Sequence, residues 1–328
     1  MRETRRIICL KTARRVGAFT IVELLVATAI LSLLLVVILS SVSNVSGIWR
    51  RASDKVKSFQ DARLAFETIT RSLSQATLNT YLDYDDANNP RQYLRKSDLK
   101  FISDSAGSGG MPGTQGAGQA VFFQAPIGYS ARSDFQAVSS LLNTCGFYVD
   151  YGPNASLPPH VSSGANSSRY RLMQLLVPTE QNDVFVSSGK GWFSTYTSQA
   201  RAIADNVVAL IIRPQDPALT NSGQSGSAPN DEYAYDSTAS AQSNPQPITA
   251  NQLPPVVQVT MVAIDETSAV RLGGDVSAKI GPMLSGKFSD PALYESDLDS
   301  LTQALSSQGI NYRVFTSAVP IRESKWTK

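Results

Sequence analysis

The sequence predicts an α+β protein. One long N-terminal helix is of membrane type in its first half and packs in its second half on an antiparallel β-sheet head with long loops. Three observations carry this. From Leu24 to Val42 no residue is charged. After Gly47 the apolar residues Val56, Phe59, Ala62, Phe66, Ile69, Leu73 and Ala76 recur at three- and four-residue steps, which is the stripe of an amphipathic helix. Beyond residue 79 short β-branched and aromatic segments alternate with Gly-, Ser- and Pro-rich stretches, the pattern of strands and loops.

The first half of the helix is set by length and polarity. Residues 24–42, at 1.5 Å each, span about 28 Å, close to the hydrocarbon thickness of a bilayer. Thr28, Ser32, Ser40 and Ser41 are its polar exceptions, and their hydroxyls can bond to carbonyls of the same helix. Trp49 stands where an interfacial aromatic belongs, followed by Arg50 and Arg51. No Pro interrupts the chain before Pro90, so a single helix is expected from Phe19 to Ala76, within a helical region 19–78. It would hold about 58 residues and measure about 85 Å. Gly47 and its Ser-rich surroundings mark a place for a bend. Glu67 and Arg71 are spaced as an i,i+4 ion pair on the polar side.

The head, residues 79–328, is long enough for one substantial domain with insertions. Ala120–Gln124, Gly146–Tyr151, Tyr170–Val177, Asp183–Val186, Val207–Arg213, Val256–Ile264 and Tyr312–Ile321 read as strands, and Asp297–Ser307 as a short helix. Val257 to Val262 alternates as a half-buried strand should. The Gly-rich stretch 105–119 and the Ser-, Asn-, Gln-, Ala- and Pro-rich stretch 215–255 are expected to be flexible loops within one head.

Charge orients the chain. Residues 1–18 carry Arg2, Arg5, Arg6, Lys11, Arg14 and Arg15 against one acid, Glu3. That excess keeps the N-terminus cytoplasmic and the head extracytoplasmic, although Arg50, Arg51, Lys55 and Lys57 lie beyond the other end. The chain's 29 basic and 27 acidic residues give +2; without the leader, 23 basic and 26 acidic residues remain, a net charge of −3. Such a balance argues against a nucleic-acid partner, which calls for a basic domain or stripe. An ordinary secretory signal is the competing reading: Ser41-Val42-Ser43 has small residues spaced for cleavage, releasing a protein that begins at Asn44. Against it stands Glu23 inside the apolar region.

Gly17-Ala18-Phe19-Thr20-Ile21-Val22-Glu23, between a basic leader and an apolar helix, resembles the N-terminal signature of type IV prepilins and pseudopilins. The resemblance implies that a prepilin peptidase and N-methyltransferase cuts off residues 1–18 and methylates the new amine of Phe19. It also implies that Glu23 serves assembly. The family usually has Gly before the cut; here Ala18 holds that place and Gly17 the one before it. A lone carboxylate in such a segment is costly, so it is expected to act. One helical turn from Phe19, it can pair with its own amine or with a neighbouring subunit's. A plain anchor with an incidental Glu is the simpler alternative. By length and pattern the chain is similar to the larger minor pseudopilins, of the J-like or W-like type. Tyr81-Leu82-Asp83-Tyr84-Asp85-Asp86, Arg169-Tyr170-Arg171-Leu172-Met173 and Asn311-Tyr312-Arg313-Val314-Phe315 look like the Verru_Chthon cassette protein C family, which has prepilin-type N-termini.

Signs of catalysis are few. The single histidine, His160, follows two prolines in a Ser-rich loop, and neither a Gly-x-Ser-x-Gly elbow, a P-loop nor a GxGxxG pattern occurs. An enzyme is not expected. Cys9 falls in the leader, which leaves Cys145 alone, as a buried small hydrophobe in a strand. Calcium is the one cofactor the chain suggests, through Asp83, Asp85, Asp86 and Asn88. An EF-hand loop starting at Asp83 would need Gly at position 88 and Glu at position 94, where the chain has Asn88 and Leu94; a solvated turn ending the helix is the alternative. The expected function is that of a structural subunit of a type IV pilus-like or type II secretion-like filament. Its partners would be other pilin-like subunits and the inner membrane. The rival is a membrane-tethered or secreted binding module, with Trp192, Phe193 and Tyr196 as candidate contacts.

Overall fold

A computed structural model describes residues 20–135, 137–153, 168–187, 189–215, 233–243, 245–273 and 276–324. Helix α1 runs from Ile21 to Ser74. Strands β1 (Tyr81–Tyr84), β2 (Tyr93–Lys96), β3 (Ile102–Ser105), β4 (Gln119–Pro126), β5 (Leu142–Gly152) and β6 (Arg169–Val177) follow. After the one-turn helix α2 (Gly191–Ser194) come β7 (Arg201–Asp205), β8 (Val207–Pro214), β9 (Tyr235–Asp236) and β10 (Val256–Ile264). Helices α3 (Glu266–Leu272), α4 (Val276–Leu284) and α5 (Tyr294–Ser307) precede the last strand, β11 (Tyr312–Pro320). The protein is thus α+β, with an N-terminal helix and an antiparallel β head.

Residues from Asp54 onward form one compact unit. Its share of α1 buries Ala62, Ala65, Phe66, Ile69 and Leu73, and Ala76 just beyond the helix, so the amphipathic stripe is core. The helix ends in short-range bonds, Gln75 N–H to Ser72 and Ala76 N–H to Leu73, and Thr77 N–H then joins the carbonyl of Gln124 on β4. On the solvent side Glu67 bonds Arg63 at 3.0 Å, not Arg71 as expected. Both side chains are more than half exposed, and such a pair contributes about 0.3–0.5 kcal/mol.

The head has two main sheets, of order β7-β6-β5-β4-β3-β9 and β11-β10-β8. β4 is buried on both faces, and its alternation sorts two cores. Val121, Phe123 and Ala125 join the large core with α1 and the three-stranded sheet. Ala120 and Phe122 join a smaller one with Tyr148, Trp192 and Phe193. α1 and α5 lie on opposite faces of the three-stranded sheet. Phe66 meets Phe315 at 5.7 Å between ring centroids, whereas Thr260 bonds the Tyr294 hydroxyl at 2.8 Å.

The chain passes from one sheet to the other at Asn206, which has φ 62, a left-handed conformation that Asn tolerates. Its N–H reaches Tyr170, its carbonyl accepts from Ile264 N–H, and its side chain donates to Glu266 at 2.6 Å. Burial pushes the Glu266 carboxyl up, but Arg169 and Asn206 outweigh it and hold it below the usual range.

Val256–Ile264 has the predicted bounds, and the strands at 120–124, 146–151, 170–177, 207–213 and 312–321 are present within a few residues. Asp183–Val186 is a turn instead: Asp183 carbonyl accepts from Val186 and Ser187 N–H, and its carboxylate takes the Tyr196 hydroxyl at 2.6 Å. The stretch 105–119 is a loop, but it is packed, with Ala106, Met111, Ala117 and Gln119 buried. Within 215–255, residues 216–232 and 244 lie outside the described residues; Tyr233, Tyr235, Ala250 and Leu253 are buried.

Candidate functional site

The first turn of α1 is closed by two side chains. Glu23 N–H donates to Thr20 Oγ1 at 3.2 Å, and the Glu23 carboxylate accepts from Thr20 N–H at 3.2 Å and from the Thr20 hydroxyl at 3.3 Å. This is a capping box, in which two otherwise unsatisfied N–H groups serve each other's residue. Thr20 is the residue that sequence reasoning missed, although Thr20-Ile21-Val22-Glu23 carries the T-x-x-E signal. The negative charge also faces the positive end of the helix dipole. Gly17, Ala18 and Phe19, the cleavage and methylation candidates, lie outside the described residues.

Beyond the cap, Ile21–Trp49 is a helical stretch of 29 residues whose most apolar 18-residue window has a mean hydropathy of 2.9 and nothing buried. Among the described residues it is the one helix long and apolar enough to cross a membrane. Ile30, Leu33, Val36 and Leu39 are all more than half exposed, so apolar surface surrounds the helix. Thr28 and Ser32 return their hydroxyls to Leu25 and Ala29 carbonyls at 3.0 and 2.8 Å, leaving no unsatisfied donor at those positions. Such a surface suits lipid or other helices, since beyond its first turn a helix bonds its backbone groups within the segment.

The aspartates of the calcium reading lie on and beside the β1–β2 hairpin rather than ending the helix. Asp83 bonds Lys96 at 2.8 Å. Asp85 accepts from the N–H groups of Asp86 and Arg91 at 2.9 Å, and Asp86 accepts from Asn88 N–H at 2.8 Å. The Lys96 ammonium holds the Asp83 carboxyl below its ordinary range, and the Arg91 N–H does the same for Asp85. These carboxylates shape the turn separately. Among the described residues no group of three or more His, Cys, Asp or Glu is placed to hold a metal.

The aromatic contacts of the binding-module reading are mostly interior. Trp192 and Phe193 are fully buried. Phe193 stacks on Phe122 at 3.9 Å, which is possible because Gly146 opposite has no Cβ; one would sit 2.1 Å from the Phe122 ring. Tyr196 is half-buried and tied to Asp183. His160 lies outside the described residues. Cys145 is buried, and burial pushes its thiol up to about 12. Iodoacetamide at pH 8 is therefore expected to leave Cys145 unlabelled in the folded protein and to label it fully in denaturant. Peptide mass spectrometry reads this, and fast native labelling would show an open strand.

A groove of about 820 Å³ lies where Phe59, Arg63 and Leu64 of α1 face Tyr312 and Arg313 of β11. It holds no acid–base pair beyond the exposed Arg63–Glu67 contact. Comparisons with protein-family models, with curated proteins and with solved structures find no match to this chain.

Proposed function

We propose that the chain is a minor pilin-like subunit. It inserts in the inner membrane with its N-terminus cytoplasmic and is cut before Phe19 by prepilin peptidase. After methylation of the new amine it assembles with other pilin-like subunits into a type IV pilus-like or type II secretion-like filament. The observation that carries this reading is α1. One continuous helix is uncovered and apolar over Ile21–Trp49, yet supplies core residues from Ala62 to Leu73. A helix apolar all round needs lipid or neighbouring helices, and a filament gives it the second after the membrane gives it the first.

Glu23 supplies the selectivity. Its carboxylate is held at the N-terminal turn by Thr20, the turn next to which a cut before Phe19 would create an amine. Exchange of the Thr20 contacts for a neighbour's amine neutralises both charges away from water and sets the axial register of the two helices.

Mass spectrometry of the mature N-terminus from native membranes tests the reading. A chain beginning at methylated Phe19 is the expected result. One beginning at Asn44, or retaining Met1, would remove the filament reading and leave a secreted or tethered module.

A further inference from the structure

The β1–β2 hairpin belongs to neither main sheet. Its register sets Asp83 opposite Leu94 and Tyr84 opposite Tyr93. Leu94 is buried, so the next pair, on the alternate face, turns to solvent. Tyr84 is 43% exposed and Tyr93 63%. Just beyond them Asp85 N–H bonds the Gln92 carbonyl. That makes Tyr84 and Tyr93 a non-hydrogen-bonded pair, the kind whose side chains come closest. The Asp85 carboxylate accepts from Arg91 N–H at 2.9 Å, which closes the intervening loop and holds the register.

The two phenols meet ring to ring and oxygen to oxygen. Their centroids are 4.8 Å apart with 27° between the planes, and the Tyr93 hydroxyl donates to the Tyr84 oxygen at 3.0 Å. The ring edges beside the hydroxyls therefore lie together and open to an oxidant in solvent. Tyr151 and Tyr170 are nearly as close, at 4.9 Å, but their planes cross at 50° and Tyr170 is buried. Tyr81, about as exposed as Tyr84, gives its hydroxyl to Asp98 instead.

We propose that Tyr84 and Tyr93 are an oxidative cross-linking site, at which a one-electron oxidant of the haem-peroxidase class, supplied with hydrogen peroxide, joins the two phenols as an intrachain dityrosine. Each phenol gives up one electron and its hydroxyl proton. The two phenoxyl radicals form a carbon–carbon bond between ring carbons ortho to the oxygens. The hydrogens on those two carbons then move to the oxygens, which restores both hydroxyls. Hydrogen peroxide takes up the two electrons and two protons and becomes two waters. The fold's part is proximity, because the pair is held in contact before either ring is oxidised. A two-stranded hairpin is marginal by itself, and the new bond would tie its strands covalently where the loop begins and ends. The site lies in the head and does not depend on the filament reading.

Treating the full-length chain, dilute in detergent at neutral pH, with a haem peroxidase and limiting hydrogen peroxide tests this. Trypsin cuts between the two tyrosines at Arg91, so the link joins two peptides that otherwise separate, with the loss of two hydrogens in mass. The Tyr84–Tyr93 link is expected to exceed any other tyrosine link, within or between chains, by at least about tenfold. Tyr84→Phe and Tyr93→Phe keep a ring at each position and are each expected to abolish it, whereas Tyr81→Phe leaves it unchanged. In denaturant the preference is expected to vanish. Links spread evenly over exposed tyrosines, an undiminished yield in Tyr93→Phe, or the same preference in denaturant would each overturn the proposal.

Discussion

On the proposed pilin-like function, Glu23→Gln is expected to enter the membrane, keep its N-terminal cap and stay out of the filament. A capping box accepts Gln as well as Glu at its third position, so the amide oxygen can still take the N–H and hydroxyl of Thr20. Only the charge is lost. Removing one member of an ion pair held away from water costs about 3–5 kcal/mol, which corresponds to a fall of about 100-fold or more in incorporation. Thr20→Ala is the converse: it removes the cap, at about 0.5–2 kcal/mol, and leaves the charge available. Quantifying each variant in sheared filaments against its membrane pool separates the two roles. Equal incorporation of Glu23→Gln and the parent would leave Glu23 a capping residue only.

Gly118→Ala is expected to destabilise the head strongly. Gly118 has φ +98, and a Cβ there would lie 2.0 Å from the Leu210 carbonyl oxygen. This close approach lets the loop lie against β8, with Leu210 N–H on Ala117 and Ala106 N–H on Gly118. Backbone strain of about 1–3 kcal/mol adds to overpacking of about 1–3 kcal/mol, a loss of about 2–6 kcal/mol. Gly152→Ala is the comparator, since nothing lies within 4 Å of its Cβ position, and it should stay within about 0.5 kcal/mol of the parent. Chemical denaturation followed by tryptophan fluorescence, in detergent, reads both. A near-neutral Gly118→Ala would mean that the loop is not a fixed joint between the sheets.

What the sequence disclosed depended on whether a segment's pattern came from its own burial. Val256–Ile264 is apolar because it sits mid-sheet between β8 and β11, and its limits could be read directly, but from Val259 onward it is buried on both faces and not half-buried as its alternation suggested. The stripe from Ala62 to Leu73 was legible for the same reason. The stretch 105–119 was not, because its packing is done by small residues, Ala106 and Ala117, set among glycines that composition assigns to flexibility. Asp183–Val186 has strand-like residues but no strand to pair with, and the Asp183 carboxylate fixes a turn instead. The β1–β2 hairpin hid behind its aspartates, which read as solvent or calcium but serve backbone N–H groups. At the candidate site Glu23 stood out as a charge among apolar residues. Thr20 did not, because a capping role is set by one hydrogen-bond geometry and leaves no periodic trace.

The position of α1 in the core has a cost in time. Phe66, Ile69 and Leu73 leave the ribosome near the start of synthesis, while β10 and β11, against which this face closes, come at residues 256–320. At about 5–20 residues per second, the roughly 250 residues between Phe66 and Phe315 take about 12–50 s to make. For that period a nascent chain already carrying the uncovered apolar stretch Ile21–Trp49 also presents an unfinished core face. A pause during the last 70 or so residues leaves both apolar surfaces open together.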